Sequence, residues 1–502
     1  MSKFNKTTTG IDSKTDTVNQ DNFPAFSRTS FKQEVASVVL NTMLNGDSFY
    51  EKESDRIAKI EKFVADNPDN SEFLAKAMVY TRNEGNLRSV SHLMGTLLAE
   101  NVKGSSFLKP ALVKSMIRPD DALEMVELWN KRNKGVMVPN SLRRAIKLSL
   151  ENKWDSYQLK KYFGNGSVKV SNLVNITHPS PKNNVQRKMF KQALEGTLPA
   201  IETAQTVNAG NTGEDRADAY ASMLVSRKLG YMAALKNIKN ILESGATDET
   251  IDALVSLLEN EKLVLKSRLL PFRFVQAYSI VDALSMDRIK AKRILKAIEQ
   301  GFIYSSKNIP IVEDGESVAL LLDESKSMGS LSRDEELTSK KPFAIGKTLM
   351  ASMLIGLDKD KTLGYLWADN AREVSIDGSP MEFIKRTNTI GGGTKLGEAI
   401  SLLIKSKTFV NKLIIFTDMQ ENSIGRGSKS FKDMINDYRK INPNVKVLFW
   451  NLKGYGGGTP MKLNDGILEV AGFSDKMLSI IPKMWKDKDA LIREIESIDL
   501  AA

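Results

Sequence analysis

From Thr29 to about Gln300 the apolar side chains recur three and four positions apart, the period of helices that turn one face to a core. Residues 32–44, 55–64, 71–80, 88–99, 108–116 and 119–130 each carry such a stripe. The breaks between them are short and rich in turn formers: Asn45-Gly46-Asp47, Asn67-Pro68-Asp69-Asn70 and Asn83-Glu84-Gly85-Asn86. Asp69-Asn70-Ser71 reads as a helix cap, and Pro119 followed by Asp120 and Asp121 suits a first helical turn. Residues 228–242 form a further amphipathic run with a basic stripe. Many short helices joined by short turns, with no sustained heptad, predict stacked helical repeats rather than a four-helix bundle. After Gly315 the pattern changes. Residues 318–322 are a continuous apolar run of the kind that fills a strand buried on both faces, 412–417 repeats the buried-strand pattern, 445–451 reads as a further strand, and 396–404 is an amphipathic helical run. The chain therefore reads as mainly α, followed by an α/β region.

The strands of that second region end in polar loops. Asp323, Ser325 and Ser327 place a carboxylate and two hydroxyls at alternate positions after the first strand. Open α/β sheets bind ligands at such carboxyl edges, and hard oxygen groups suit a magnesium-type cation. Taken alone, an Asp-Ser turn has an equally good structural explanation. Two later stretches change that: Ile390-Gly-Gly-Gly-Thr394-Lys395 delivers a hydroxyl on a glycine loop, and Thr417-Asp418 closes the next buried strand with a carboxylate. Asp323, Ser325, Ser327, Thr394 and Asp418 together resemble the metal-ion-dependent adhesion site of von Willebrand factor A domains. The resemblance implies a divalent ion, Mg²⁺, with one coordination position open to a partner carboxylate or a phosphate oxygen.

Within the helical region the segment 138–150 puts Leu142, Ile146 and Leu150 on one face and Arg143, Arg144 and Lys147 on another. Lys153, Lys160, Lys161 and Lys169 follow, interleaved with Tyr157, Tyr162 and Phe163, rings that either stack on bases or fill the core. The net charge of +11 is uneven. Residues 316–502 hold 27 basic and 25 acidic groups, so nearly all of the excess lies in the first 315 residues. Positive excess favours phosphate-rich partners, although solvated lysine-rich helix faces account for it as well.

Length and composition exclude some classes. At 502 residues and 41% hydrophobic, the chain can build large cores and more than one domain. With no cysteine, disulfides and thiolate metal sites are excluded, which fits a reducing, cytoplasmic location. No apolar run reaches the roughly 18 residues that cross a bilayer. The polar N-terminus carries no secretory core and reads as a mobile tail over residues 1–25. Enzymatic readings are weak: Ser325 and Ser327 have no base nearby in sequence, Asp323 lacks a second aspartate two positions on, and Gly456-Gly-Gly-Thr459-Pro lacks the Lys-Ser/Thr of a phosphate loop. The two histidines, His92 and His178, read as hydrogen-bonded structural groups.

In chain order, Arg88-Ser-Val-Ser-His-Leu, Val138-Pro-Asn-Ser-Leu-Arg-Arg-Ala-Ile, Asn175-Ile-Thr-His-Pro-Ser-Pro, Leu235-Lys-Asn-Ile-Lys-Asn-Ile and Leu270-Pro-Phe-Arg-Phe-Val-Gln-Ala-Tyr precede the adhesion-site domain. This ordered set resembles the TROVE-domain family of Ro autoantigen proteins and their bacterial and phage relatives. The resemblance implies a ring of HEAT-like helices over residues 26–312 closed by a von Willebrand factor A domain over 313–502. It implies a non-catalytic, monomeric ribonucleoprotein scaffold in non-coding RNA quality control, binding single-stranded 3′ ends of misfolded RNA and Y-type RNA. The matching RNA-binding positions are Arg88, Arg143, Arg144, Lys147, Lys169, His178, Lys236, Lys239, Arg268 and Arg273. Where animal members carry Lys and Arg before the histidine, this chain has Ser171 and Asn175, which puts Y-type binding on that face in question. The competing reading is a metal-dependent protein-adhesion module within a phage or nuclease assembly.

Overall fold

The computed structural model describes residues 16–18, 24–27, 30–41, 53–162, 167–199, 207, 213–267, 269, 271–307, 315–329, 342–387, 391–395, 397–420, 429–453, 458–464, 466–471 and 475–501. Its first helices are Phe31–Asn41, Glu53–Ala65, Ser71–Asn83, Arg88–Asn101, Leu108–Ser115, Pro119–Arg132 and Asn140–Asn152, close to the stretches that apolar periodicity predicts. Ser71–Asn83 packs on Arg88–Asn101 and on Leu108–Ser115; Arg88–Asn101 packs on Pro119–Arg132, and Leu108–Ser115 on Asn140–Asn152. Each helix thus touches the next but one, the two-layer stacking of a helical repeat.

One local expectation fails for an identifiable reason, and one amphipathic run is interrupted. Asn70 makes no side-chain cap; Pro68–Asn70 is a 3₁₀ turn that runs straight into the following helix. The run 228–242 is two short helices, Tyr231–Lys236 and Ile238–Glu243, broken at Asn237. There the Asn237 side-chain amide donates to Ala233 O (2.8 Å), a local bond that competes with helix propagation.

A few residues near the N-terminus are described. β1 (Thr17–Val18) pairs antiparallel with β2 (Pro24–Ala25), and Phe26 exchanges backbone hydrogen bonds with Thr459 (3.0 and 2.8 Å). Backbone pairing of this kind does not require an apolar sequence, so periodicity does not register it.

The α/β region is built on one sheet of β3 (Val318–Asp323), β4 (Thr362–Trp367), β5 (Ala371–Val374), β6 (Lys412–Thr417), β7 (Lys446–Asn451) and β8 (Ile467–Ala471). The strand order is β5-β4-β3-β6-β7-β8, parallel except for the edge strand β5. Strands β3 and β6 are buried along their whole length, as their apolar runs require. The order reverses direction between β3 and β6, so the crevice at their carboxyl ends is the topological switch point of the sheet.

Both ends of the helical series dock on this region. At one end Phe31–Asn41 packs against β8. Lys32 pairs with Glu496, Gln33 Nε2 donates to Asp489 (2.9 Å), Ser37 Oγ to Glu469 (3.0 Å), and Lys76 Nζ to Glu496 O (2.9 Å). At the other end Pro271–Asp282 and Arg288–Ser306 pack on Pro342–Gly356, where Ser352 Oγ donates to Ser306 Oγ (2.7 Å). The helical repeat is therefore closed into a ring by the α/β part. Among the described residues, no helix is long and apolar enough to cross a membrane.

Candidate metal centre and nucleic-acid face

The three loops read from the sequence meet at the switch point. Asp323 ends β3, opposite Trp367 of β4, and the preceding Leu322 lies opposite Phe416 near the end of β6. Thr417 Oγ1 donates to Asp323 Oδ2 (2.8 Å), and the Ser325 amide donates to Asp323 Oδ1 (2.8 Å). Ser325 Oγ and Ser327 Oγ lie 3.1 Å apart. The glycine loop is held alongside: Lys326 N donates to Gly392 O (3.3 Å). Asp323, Ser325, Ser327, Thr394 and Asp418 are all buried. Asp418 accepts from the Gln420 amide (3.2 Å), which turns the chain after β6.

Burial, and then the adjacent carboxylate of Asp418, push Asp323 up to about 8. Two acids this close and this dry repel one another unless a positive charge or a proton lies between them. Among the described residues no group of three or more His, Asp or Glu side chains gathers as a metal cluster. Any cation here would be met by two carboxylates and the hydroxyls of Ser325, Ser327 and Thr394. That all-oxygen donor set fits a hard divalent ion, with water completing the shell.

A fourth loop, which the sequence did not single out, surrounds these. The turn between β4 and β5 supplies Asp369, whose Oδ2 accepts from the Gly393 amide (3.2 Å) and whose Oδ1 lies 3.4 Å from Lys395 Nζ. Strand β5 supplies Arg372, which grips buried Glu324 through two bonds of 2.6 and 2.8 Å. Glu324 stands inside the Asp323–Ser325 loop, so its position was visible in the sequence. Its partner was not, because only the strand order brings β5 to that edge. Thr417 was likewise visible only as a neighbour of Asp418.

The cationic candidates separate into groups. Arg143 and Lys147 share the outer face of Asn140–Asn152: Arg143 Nη2 donates to Asn140 Oδ1 (2.6 Å), and Lys147 Nζ lies 3.9 Å from Glu151. Glu151 also accepts from the Ser180 amide (2.6 Å), which brings the His178 loop onto the same surface. His178 is exposed and caps Val170–Thr177 in the left-handed conformation (φ 45°). Arg144 and Lys169 are exposed nearby in the chain, Lys169 preceding Val170–Thr177, which packs on Asn140–Asn152. Lys236 and Lys239 lie on the short helices after Gly230, with Lys239 3.7 Å from Glu243. Arg273 is exposed on Pro271–Asp282, whereas Arg268 lies outside the described residues. Arg88 is engaged internally: Asp120 at 2.9 Å, Asp121 at 3.3 Å, and Glu124 all face its guanidinium.

Residues 216–301 match the family model of the TROVE domain. Over 83 residues, 16% of this chain, the sequence is 34% identical to telomerase protein component 1 of Rattus norvegicus. Over 70 residues it is 33% identical to the Mus musculus protein of the same name. The chain spans only 3% of the length of these curated relatives. The Deinococcus radiodurans Ro (RSR) crystal structure superposes with a TM-score of 0.62, covering 90% of this chain and 99% of that one at 13% identity. That last likeness is one of fold: a helical-repeat ring followed by a von Willebrand factor A-type domain. Residues 216–301 thus carry sequence similar to the TROVE domain, within a chain whose fold is similar to that of a Ro protein.

Proposed function

We propose that this protein is a non-catalytic RNA-binding scaffold. It binds structured or misfolded non-coding RNA, with a single-stranded 3′ end held by the ring and folded RNA lying on the cationic outer surface. The observation that carries the reading is the shared face of Arg143, Lys147 and the His178 loop, joined through Glu151. Exposed Arg144 and Lys169 extend it, and phosphate contacts spread over several such cations would supply the affinity. Arg88 is left out of this face, since three carboxylates already neutralise it.

Ser171 and Asn175 lie on Val170–Thr177, where neutral groups replace cations. Y-type RNA is therefore expected to bind this face more weakly than a generic RNA with a free tail. A non-catalytic role is supported by both histidines: His92 is buried against Asp121 and Glu124, and His178 sits on the outer helical face, so neither serves Ser325 or Ser327 as a base. The Asp323, Ser325, Ser327, Thr394 and Asp418 set would hold Mg²⁺, which when bound supplies an electrophilic position for a partner carboxylate or phosphate.

The test is a gel-shift titration of the full chain with a structured RNA bearing a single-stranded 3′ tail. Binding should weaken steeply between low and high salt; absence of any salt-sensitive shift would refute the reading. Asp323→Ala separates the two surfaces. RNA binding should survive that change, and loss of RNA binding without unfolding would place RNA at the cation site instead.

A further inference from the structure

We propose that Asp369 is a positioning residue for the cation site: from the β4–β5 turn it holds the glycine loop, and hence Thr394, against the Asp323 loop. The inference rests on the metal reading above and extends it to a loop outside the five-residue donor set.

Four observations place Asp369 in this role. Its Oδ2 accepts from the Gly393 amide (3.2 Å), one residue before Thr394. Its Oδ1 lies 3.4 Å from Lys395 Nζ, one residue after Thr394. The backbone reinforces the same junction, with Lys395 N donating to Ala368 O (3.1 Å). Finally, Gly392 sits at φ +110° facing the Asp369 carboxylate, so that any side chain there would collide with it. One carboxylate therefore brackets Thr394 on both sides, and the loop is shaped to receive it.

The same hairpin also holds the first loop. Arg372 grips Glu324, which stands between Asp323 and Ser325, through both terminal guanidinium nitrogens. The β4–β5 hairpin thus clamps two of the three donor loops at once. A glycine-rich loop left without such a tether would sample many conformations and lose conformational entropy on closing around an ion. Outer groups that orient metal ligands are worth about 10- to 100-fold in metal affinity.

The experiment uses the full-length chain and Mn²⁺ as the probe, with free ion followed by electron paramagnetic resonance. Thermal midpoints are taken in EDTA, and hydrogen–deuterium exchange is followed across residues 391–395. Asp369→Ala should bind Mn²⁺ about 10- to 100-fold more weakly than the parent. Its metal-free midpoint should be unchanged while exchange in the glycine loop rises. Asp369→Asn keeps an oxygen to accept from the Gly393 amide and should recover most of the affinity. Equal Mn²⁺ affinity in Asp369→Ala and the parent would overturn the inference and leave the metal reading standing. So would a drop in affinity matched by a lower metal-free midpoint, since Asp369 would then be a general stability residue. If the parent itself takes up no Mn²⁺, and Asp323→Ala behaves identically, the metal reading falls and the inference with it.

Discussion

His92 Nε2 lies 3.0 Å from Asp121 Oδ1, inside the helical part and away from solvent. Its other ring nitrogen faces Glu124 at 3.0 Å, so both nitrogens meet carboxylate acceptors, which favours the doubly protonated ring. Asp121 also receives Arg82 through two bonds of 3.0 and 2.9 Å, and Arg88 completes the cluster. The network ties three successive helices, Ser71–Asn83, Arg88–Asn101 and Pro119–Arg132, by charge in addition to their shared apolar core.

A pH dependence of stability follows. Burial draws His92 toward its neutral form, but the hydrogen bonds to Asp121 and Glu124 outweigh it and raise its pKa above the ordinary 6.5. A raised folded-state value stabilises fully below 6.5 and loses that contribution as pH climbs through the folded value. Urea denaturation at a series of pH values above 6.5 should show stability falling, and His92→Gln should flatten that segment of the curve. An unchanged slope in the variant would place the titration elsewhere.

On the cationic face, replacing Arg143, Arg144 and Lys147 together by alanine should weaken binding of a tailed RNA at low salt. The slope of log affinity against log salt should become shallower by roughly one for each phosphate that is no longer neutralised. The parallel change at Arg88 should leave the slope unaltered and lower stability instead, because its partners are carboxylates of its own helices. Filter-binding titrations at several salt concentrations, with denaturant midpoints for each variant, check both halves.

Gly301 marks a tight crossing near the second docking end. A β-carbon there would lie 2.6 Å from Phe274 Cε1 and 2.9 Å from Tyr231 Oη. Tyr231 is fixed by its hydroxyl, which donates to Leu258 O (2.9 Å), and the Phe274 ring is fully buried. Gly301→Ala should destabilise the chain by about 1–3 kcal/mol in chemical denaturation. A neutral effect would mean that the Phe274 ring repacks at little cost.

How much of this was legible in the sequence depended on how local each signal was. The helices announced themselves through spacing alone, and Asp323, Ser325 and Ser327 stood out because strand, loop and hydroxyls are contiguous. The role of Arg88 was not legible: it looked like a free cation, and its acids lie far along the chain, brought back by the packing of Arg88–Asn101 on Pro119–Arg132. Asp369 and Arg372 were hidden for the same reason in the sheet, since a hairpin's reach depends on strand order and no periodicity encodes it. Thr17–Val18 and Pro24–Ala25 pair through main-chain groups, which side-chain pattern does not reveal.

The double docking of the helical series on the α/β part has a mechanical consequence. A single cleavage of the backbone between Arg288–Ser306 and β3 would not release two bodies. The outgoing fragment would remain fastened at its far end through Lys32, Gln33, Ser37 and Lys76. Nicked protein should therefore migrate as one particle under native conditions and as two bands only after denaturation.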